Sequence, residues 1–89
     1  PLLVVQGVQD QTVPVAVGDS IFDAAEPPVH YLRLNEADHG TLFSGEEIGL
    51  VESAVLAFVD ARLKDQPERL EELAATVAAT DRAELQVKD

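Results

Sequence analysis

The chain has 89 residues, with 17 acidic side chains against 6 basic ones and a formal net charge of −11. A surface of that sign repels phosphate backbones and anionic lipid, which excludes nucleic acid as a natural partner. There is no cysteine, so neither a disulfide framework nor a thiolate metal site is available. No apolar run approaches the ~20 residues of a membrane span.

Residues 2–6 are an uninterrupted apolar run ending in Gln6, which fits a strand covered on both faces as in a parallel sheet. The chain enters this strand at once from Pro1, which leads us to expect that it starts inside a domain. Gly7 to Pro14 reads as a loop at the strand's C-terminal end. Residues 15–25 form a short helix, started near Pro14 and stopped by Pro27 and Pro28, with Val17, Ile21 and Ala24 at helical spacing. Residues 29–34 make a second strand and Asn35 to Gly45 a polar loop.

Ser44 and Glu47 have the spacing of a capping box, and Glu46 and Glu47 suit the positive end of the helix dipole. That helix runs to about Leu63. Its expected apolar stripe is Ile48, Val51, Val55, Phe58 and Arg62, widened by Val59 and Leu63. Pro67 opens a further helix with Leu70, Leu73 and Val77 on one face. Its acidic stretch, Glu68 to Glu72, reads as a solvated face. The tail alternates Ala83, Leu85 and Val87 with polar residues and predicts a short edge strand.

The order strand, helix, strand implies two parallel strands joined by a right-handed crossover. Both loops that follow the strands then lie at one end of the sheet, where open α/β sheets place their ligands. One loop carries Asp10. The other carries His39, 29 residues further on. An acid that holds a histidine, and a histidine that moves protons near neutral pH, make a general-base pair. Each residue also has a plainer reading: Asp10 as an Asx-turn, His39 as a surface histidine. His30 reads as structural. A metal site from Asp10, Asp38 and His39 has little support without helical ligand spacing.

The segments "PLLVVQGVQDQTVP" and "NEADHG", with a helix and a strand between them, resemble the last third of the α/β-hydrolase family. The likeness is to its dienelactone-hydrolase-like and lipase/esterase branches and covers residues 1 to about 63. It implies an α/β fold, with residues 1–64 as the C-terminal strand-helix-strand-helix portion of a parallel hydrolase sheet; residues 65–89 read, from their own pattern alone, as a helical extension that ends in a short strand. It implies that Asp10 is the acid and His39 the base of a Ser-Asp-His triad, in the family's chain order. The implied activity is hydrolysis of a small-molecule carboxylic ester, with no cofactor and no metal.

The departure is the missing Gly-x-Ser-x-Gly elbow. Ser20, Ser44 and Ser53 are the only serines, and none sits on a strand-to-helix turn. The resemblance therefore puts the nucleophile upstream of Pro1 and makes the N-terminal part of the same domain the chain's partner. Beyond residue 64 it is silent. Two alternatives stand beside it: a non-catalytic interaction domain of the same fold, and a self-sufficient small α/β module.

Overall fold

The computed structural model describes residues 1–89, apart from the side chain of Glu46. Strand β1 (Leu2–Gly7), helix α1 (Val15–Ala24) and strand β2 (Val29–Leu34) come first. A 3-10 turn (Thr41–Phe43), helices α2 (Gly45–Leu63) and α3 (Glu68–Ala78) and strand β3 (Ala83–Lys88) follow. The sheet order is β1-β2-β3. β1 and β2 run parallel, with Gly7 opposite Leu34, and β3 lies antiparallel on the far side of β2, with Ala83 opposite Leu34. The molecule is thus a small α/β fold with a three-strand mixed sheet and three helices.

Central β2 is the best-buried strand: Val29, Tyr31, Leu32 and Leu34 have no exposed surface. Leu32 and Leu34 meet Val51, Ala54 and Ala57 of α2, Leu73 and Val77 of α3, and Ala83 of β3 in one core. The α3 face expected from Leu70, Leu73 and Val77 is the face that packs. On the opposite side Tyr31 stacks near Phe22 of α1, with ring centroids 5.6 Å apart, and donates its hydroxyl to Asp19 at 2.8 Å.

Two helix faces differ from the expected ones. On α1, Val17 and Ile21 are 43% and 45% exposed. The helix packs instead through buried Gly18, where a Cβ would come within 2.5 Å of the Tyr31 hydroxyl. On α2, Val55 and Leu63 are exposed, and the small residues Ala54 and Ala57 join Val51 against the sheet. Small side chains let the helix approach closely, so the contact face is set by what fits rather than by the largest apolar residues. Ser44 makes no side-chain cap. Glu47 instead reaches Arg82, at 2.7 Å, and ties the start of α2 to the approach to β3. The expected role of Glu46 lies outside the described side chains.

The α2–α3 junction is held by Asp60. Its carboxylate binds Arg69 at 3.2 Å and Lys64 at 3.4 Å, and its carbonyl accepts from Gln66 and Lys64. No helix is long and apolar enough to cross a membrane among the described residues.

Candidate active site

Because β1 and β2 are parallel and in register, the loops after Gly7 and Leu34 leave the sheet side by side. They are laced together by backbone hydrogen bonds: Val8 N–H to the Leu34 carbonyl at 2.9 Å, and Gln9 N–H to the Ala37 carbonyl at 3.0 Å. Gly7 makes the approach possible. A Cβ there would collide with the Ala37 carbonyl oxygen and lie 2.9 Å from its carbon, and both are backbone atoms that cannot swing aside. Gln6, buried under the loop, donates to the Val13 carbonyl at 2.7 Å and fixes the far end of the acid's turn.

Asp10 divides its two oxygens between two tasks. Oδ1 accepts from the backbone N–H of Thr12 and of Val13, each at 2.8 Å, so the carboxylate organises its own turn. Oδ2 lies 2.9 Å from Nδ1 of His39. The Asx-turn and the acid–base pair are therefore both present in one side chain. Only 2% of the Asp10 side chain is exposed, against 59% for His39. Burial pushes the Asp10 carboxyl up. The hydrogen bonds from Val13, His39 and Thr12, with the charge of His39, outweigh it and hold the group below the usual carboxylate range.

Contact with an ionised Asp10 favours the tautomer that carries its proton on Nδ1, leaving Nε2 as an acceptor. Nε2 makes no hydrogen bond among the described residues, and the ring borders an open groove with Gln9, Gln11, Thr12 and Glu36.

Asp38, although adjacent to His39 in sequence, turns away from it. Its Oδ1 accepts from the N–H groups of Gly40 and Thr41, both at 2.9 Å, and from the Thr41 hydroxyl at 3.1 Å. The Thr41 N–H and hydroxyl, followed by the Gly40 N–H, hold its carboxyl low against burial and the repulsion of Asp10. Asp38 thus builds the turn that presents His39. Sequence reasoning missed this role, although Asp followed by Gly two residues on is a recognisable Asx-turn signal. No group of three or more acidic or histidine side chains converges as a metal site would require, among the described residues.

The three serines are elsewhere. Ser20 donates to the Ala16 carbonyl at 2.8 Å, Ser44 faces the Thr41 carbonyl at 3.5 Å, and Ser53 borders the groove between α2 and α3. His30 is 5% exposed and set edge-on to Phe58, 6.3 Å between centroids. Burial, then the Arg62 charge, pushes its pKa down, against the pull of Asp89.

No family model, no curated protein and no solved structure matches this chain.

Proposed function

We propose that Asp10 and His39 are the acid and the base of a Ser-Asp-His triad that hydrolyses carboxylic esters. Residues 1–64 form the C-terminal portion of an α/β-hydrolase domain, and residues 65–89 extend it with a helix and an antiparallel strand. The nucleophilic serine belongs to sequence outside residues 1–89. The observation that carries this reading is the 2.9 Å contact between His39 Nδ1 and Asp10 Oδ2 at the C-terminal ends of adjacent parallel strands. A second feature is in keeping with it. The outer edge of β1 pairs with nothing among the described residues, and Leu2, Val17 and Ile21 lie exposed on β1 and α1, where a further strand and helix would cover them.

In this mechanism His39 Nε2 takes the proton as the serine oxygen bonds to the acyl carbon. His39 then returns the proton to the departing alkoxide, which leaves as the alcohol. Water, deprotonated by the same nitrogen, next attacks the acyl-enzyme. His39 then gives that proton to the serine oxygen as its bond to the acyl carbon breaks, which releases the acid and restores the free serine. Asp10 keeps the ring in place and stabilises its charged form at each stage.

The test is ester hydrolysis by the complete protein. His39→Ala is expected to lower kcat by roughly 10⁴-fold or more and Asp10→Asn by on the order of 10³–10⁴-fold. The double variant should be little worse than the singles, because the residues act as one unit. Asp38→Asn retains its acceptor oxygen and should lose less than about 10-fold. Full activity in Asp10→Asn, or a crippled Asp38→Asn beside it, would show that the acid is misassigned.

A further inference from the structure

The outer edge of β3 pairs with nothing among the described residues. Natural edges are commonly blunted by proline, a bulge or charged side chains. β3 has no proline and no bulge, and its two charges, Glu84 and Lys88, are of opposite sign and so can pair across a two-fold axis. It is six regular residues, Ala83–Lys88, in unbroken register with β2.

Its hydrogen-bonding phase follows from one contact. Asn35 N–H donates to the Arg82 carbonyl at 2.8 Å, so Asn35 and Arg82 are a hydrogen-bonded pair. Opposed residues alternate between bonded and non-bonded along an antiparallel ladder. Glu84, Gln86 and Lys88 therefore spend their backbone groups on β2, and Ala83, Leu85 and Val87 point theirs outward. Beside that row runs an apolar groove floored by Ala74, Val77 and Ala78 of α3 and walled by Leu85 and Val87, the last 44% exposed.

We infer that the β3 edge pairs antiparallel with the β3 edge of a second copy of this chain, with Gln86 facing Gln86 on the two-fold axis. In that register Leu85 stands opposite Val87 in both halves, and these are the residues whose backbone groups face outward. Glu84 stands opposite Lys88 in both halves, at non-bonded positions where facing side chains come closest. Opposite charges four residues apart on one strand are self-complementary about such an axis. The neighbouring register, centred on Leu85, also satisfies the backbone but sets Glu84 against Gln86 and so forms no opposite-charge pair. Charge therefore selects the first.

Both charges already hold partners within the chain: Glu84 accepts from Gln86 at 2.8 Å and faces Arg33 at 3.9 Å, and Lys88 is bound at the end of α1. Its ammonium donates to the carbonyls of Asp23 and Ala25, both at 2.9 Å, and lies 5.1 Å from the Phe22 ring centroid. A third N–H remains for the carboxylate opposite. A strand-edge interface is small, so the dimer is expected to be weak and reversible.

Sedimentation equilibrium of the complete protein from about 1 to 200 μM tests the pairing. The expected result is a reversible monomer–dimer equilibrium. Glu84→Lys should raise the dissociation constant on the order of 10-fold or more, and Glu84→Lys with Lys88→Glu should restore it to within about 3-fold. Val87→Pro removes a donor that faces away from β2, so the fold should survive with the dimer lost. The chain has no cysteine, which makes cross-linking a clean reporter of register. Oxidised Gln86→Cys should form a disulfide dimer, because facing non-bonded residues have Cα atoms about 4.5 Å apart. A protein monomeric throughout, a dimer indifferent to Glu84→Lys and Val87→Pro, or cross-linking by Leu85→Cys in place of Gln86→Cys would each overturn the inference.

Discussion

Gly7→Ala is the sharpest test of how the site is assembled. The new methyl would sit 2.9 Å from the Ala37 carbonyl carbon and 3.3 Å from the Asp38 carbonyl oxygen, so one loop must retreat. Relieving a methyl forced against rigid backbone costs about 1–3 kcal/mol. The retreat also stretches the 3.0 Å bond from Gln9 N–H to the Ala37 carbonyl, worth a further ~0.5–1.5 kcal/mol. A total loss of about 1.5–4.5 kcal/mol is expected, measured by urea denaturation of the complete protein. Gly49→Ala is the matched control. Its Cβ meets nothing within 4 Å, on an exposed position of α2, so the change should stabilise by up to ~1 kcal/mol through helix propensity. The Asp10 and His39 loops should also separate in Gly7→Ala, read as a loss of the His39 Nδ1–H···Asp10 proton signal by NMR. A Gly7→Ala protein as stable as the parent would refute the close approach on which the site rests.

Phe58→Ala removes a half-buried ring packed against His30 and is expected to cost about 2–3 kcal/mol, below the usual range for a fully buried Phe. Val55→Ala, on the exposed face of α2, should stay within ~0.5 kcal/mol in the same denaturation assay. Folded His30 binds its proton less readily than unfolded His30, so its contribution to stability is complete above the unfolded pKa of about 6.5 and is lost as pH falls below it. Melting curves between pH 7 and 5 should show that loss, and His30→Gln should flatten it. Folded Asp10 has the opposite chemistry and the same sign. Its depressed pKa contributes stability above the unfolded value of about 3.9 that disappears on further acidification, and Asp10→Asn should remove that lower limb of the profile.

Strand positions and the meeting of Asp10 with His39 were legible because they depend on short-range pattern and chain order. An apolar run of the right length, a crossover and two loops are enough to bring residues 10 and 39 to one end of a sheet. Contact faces of the helices were less legible. Periodicity marks where large apolar residues recur, whereas α1 and α2 pack through Gly18, Ala54 and Ala57, whose value lies in what they leave out. The alternation at Ala83, Leu85 and Val87 announced a strand. Its antiparallel place beside β2 depends on pairing across some fifty residues, for which local pattern carries no signal. The capping box failed for a related reason: Arg82, distant in sequence, competes for Glu47 and wins with a 2.7 Å ion pair.

The Asp10–His39 distance is inherited from the pairing of Gly7 with Leu34, not from the chain that connects them. Residues 15–28 can therefore vary in length, or be opened and rejoined elsewhere, without moving either side chain relative to the other. A one-residue slip of β1 along β2 would do the reverse. It would shift the loops by about 3.3 Å and turn every β1 side chain to the wrong face, abolishing the pair while leaving both residues intact. For anyone grafting this pair into another protein, the portable unit is two neighbouring parallel strands with a glycine at the first exit. The crossover between them is exchangeable packaging.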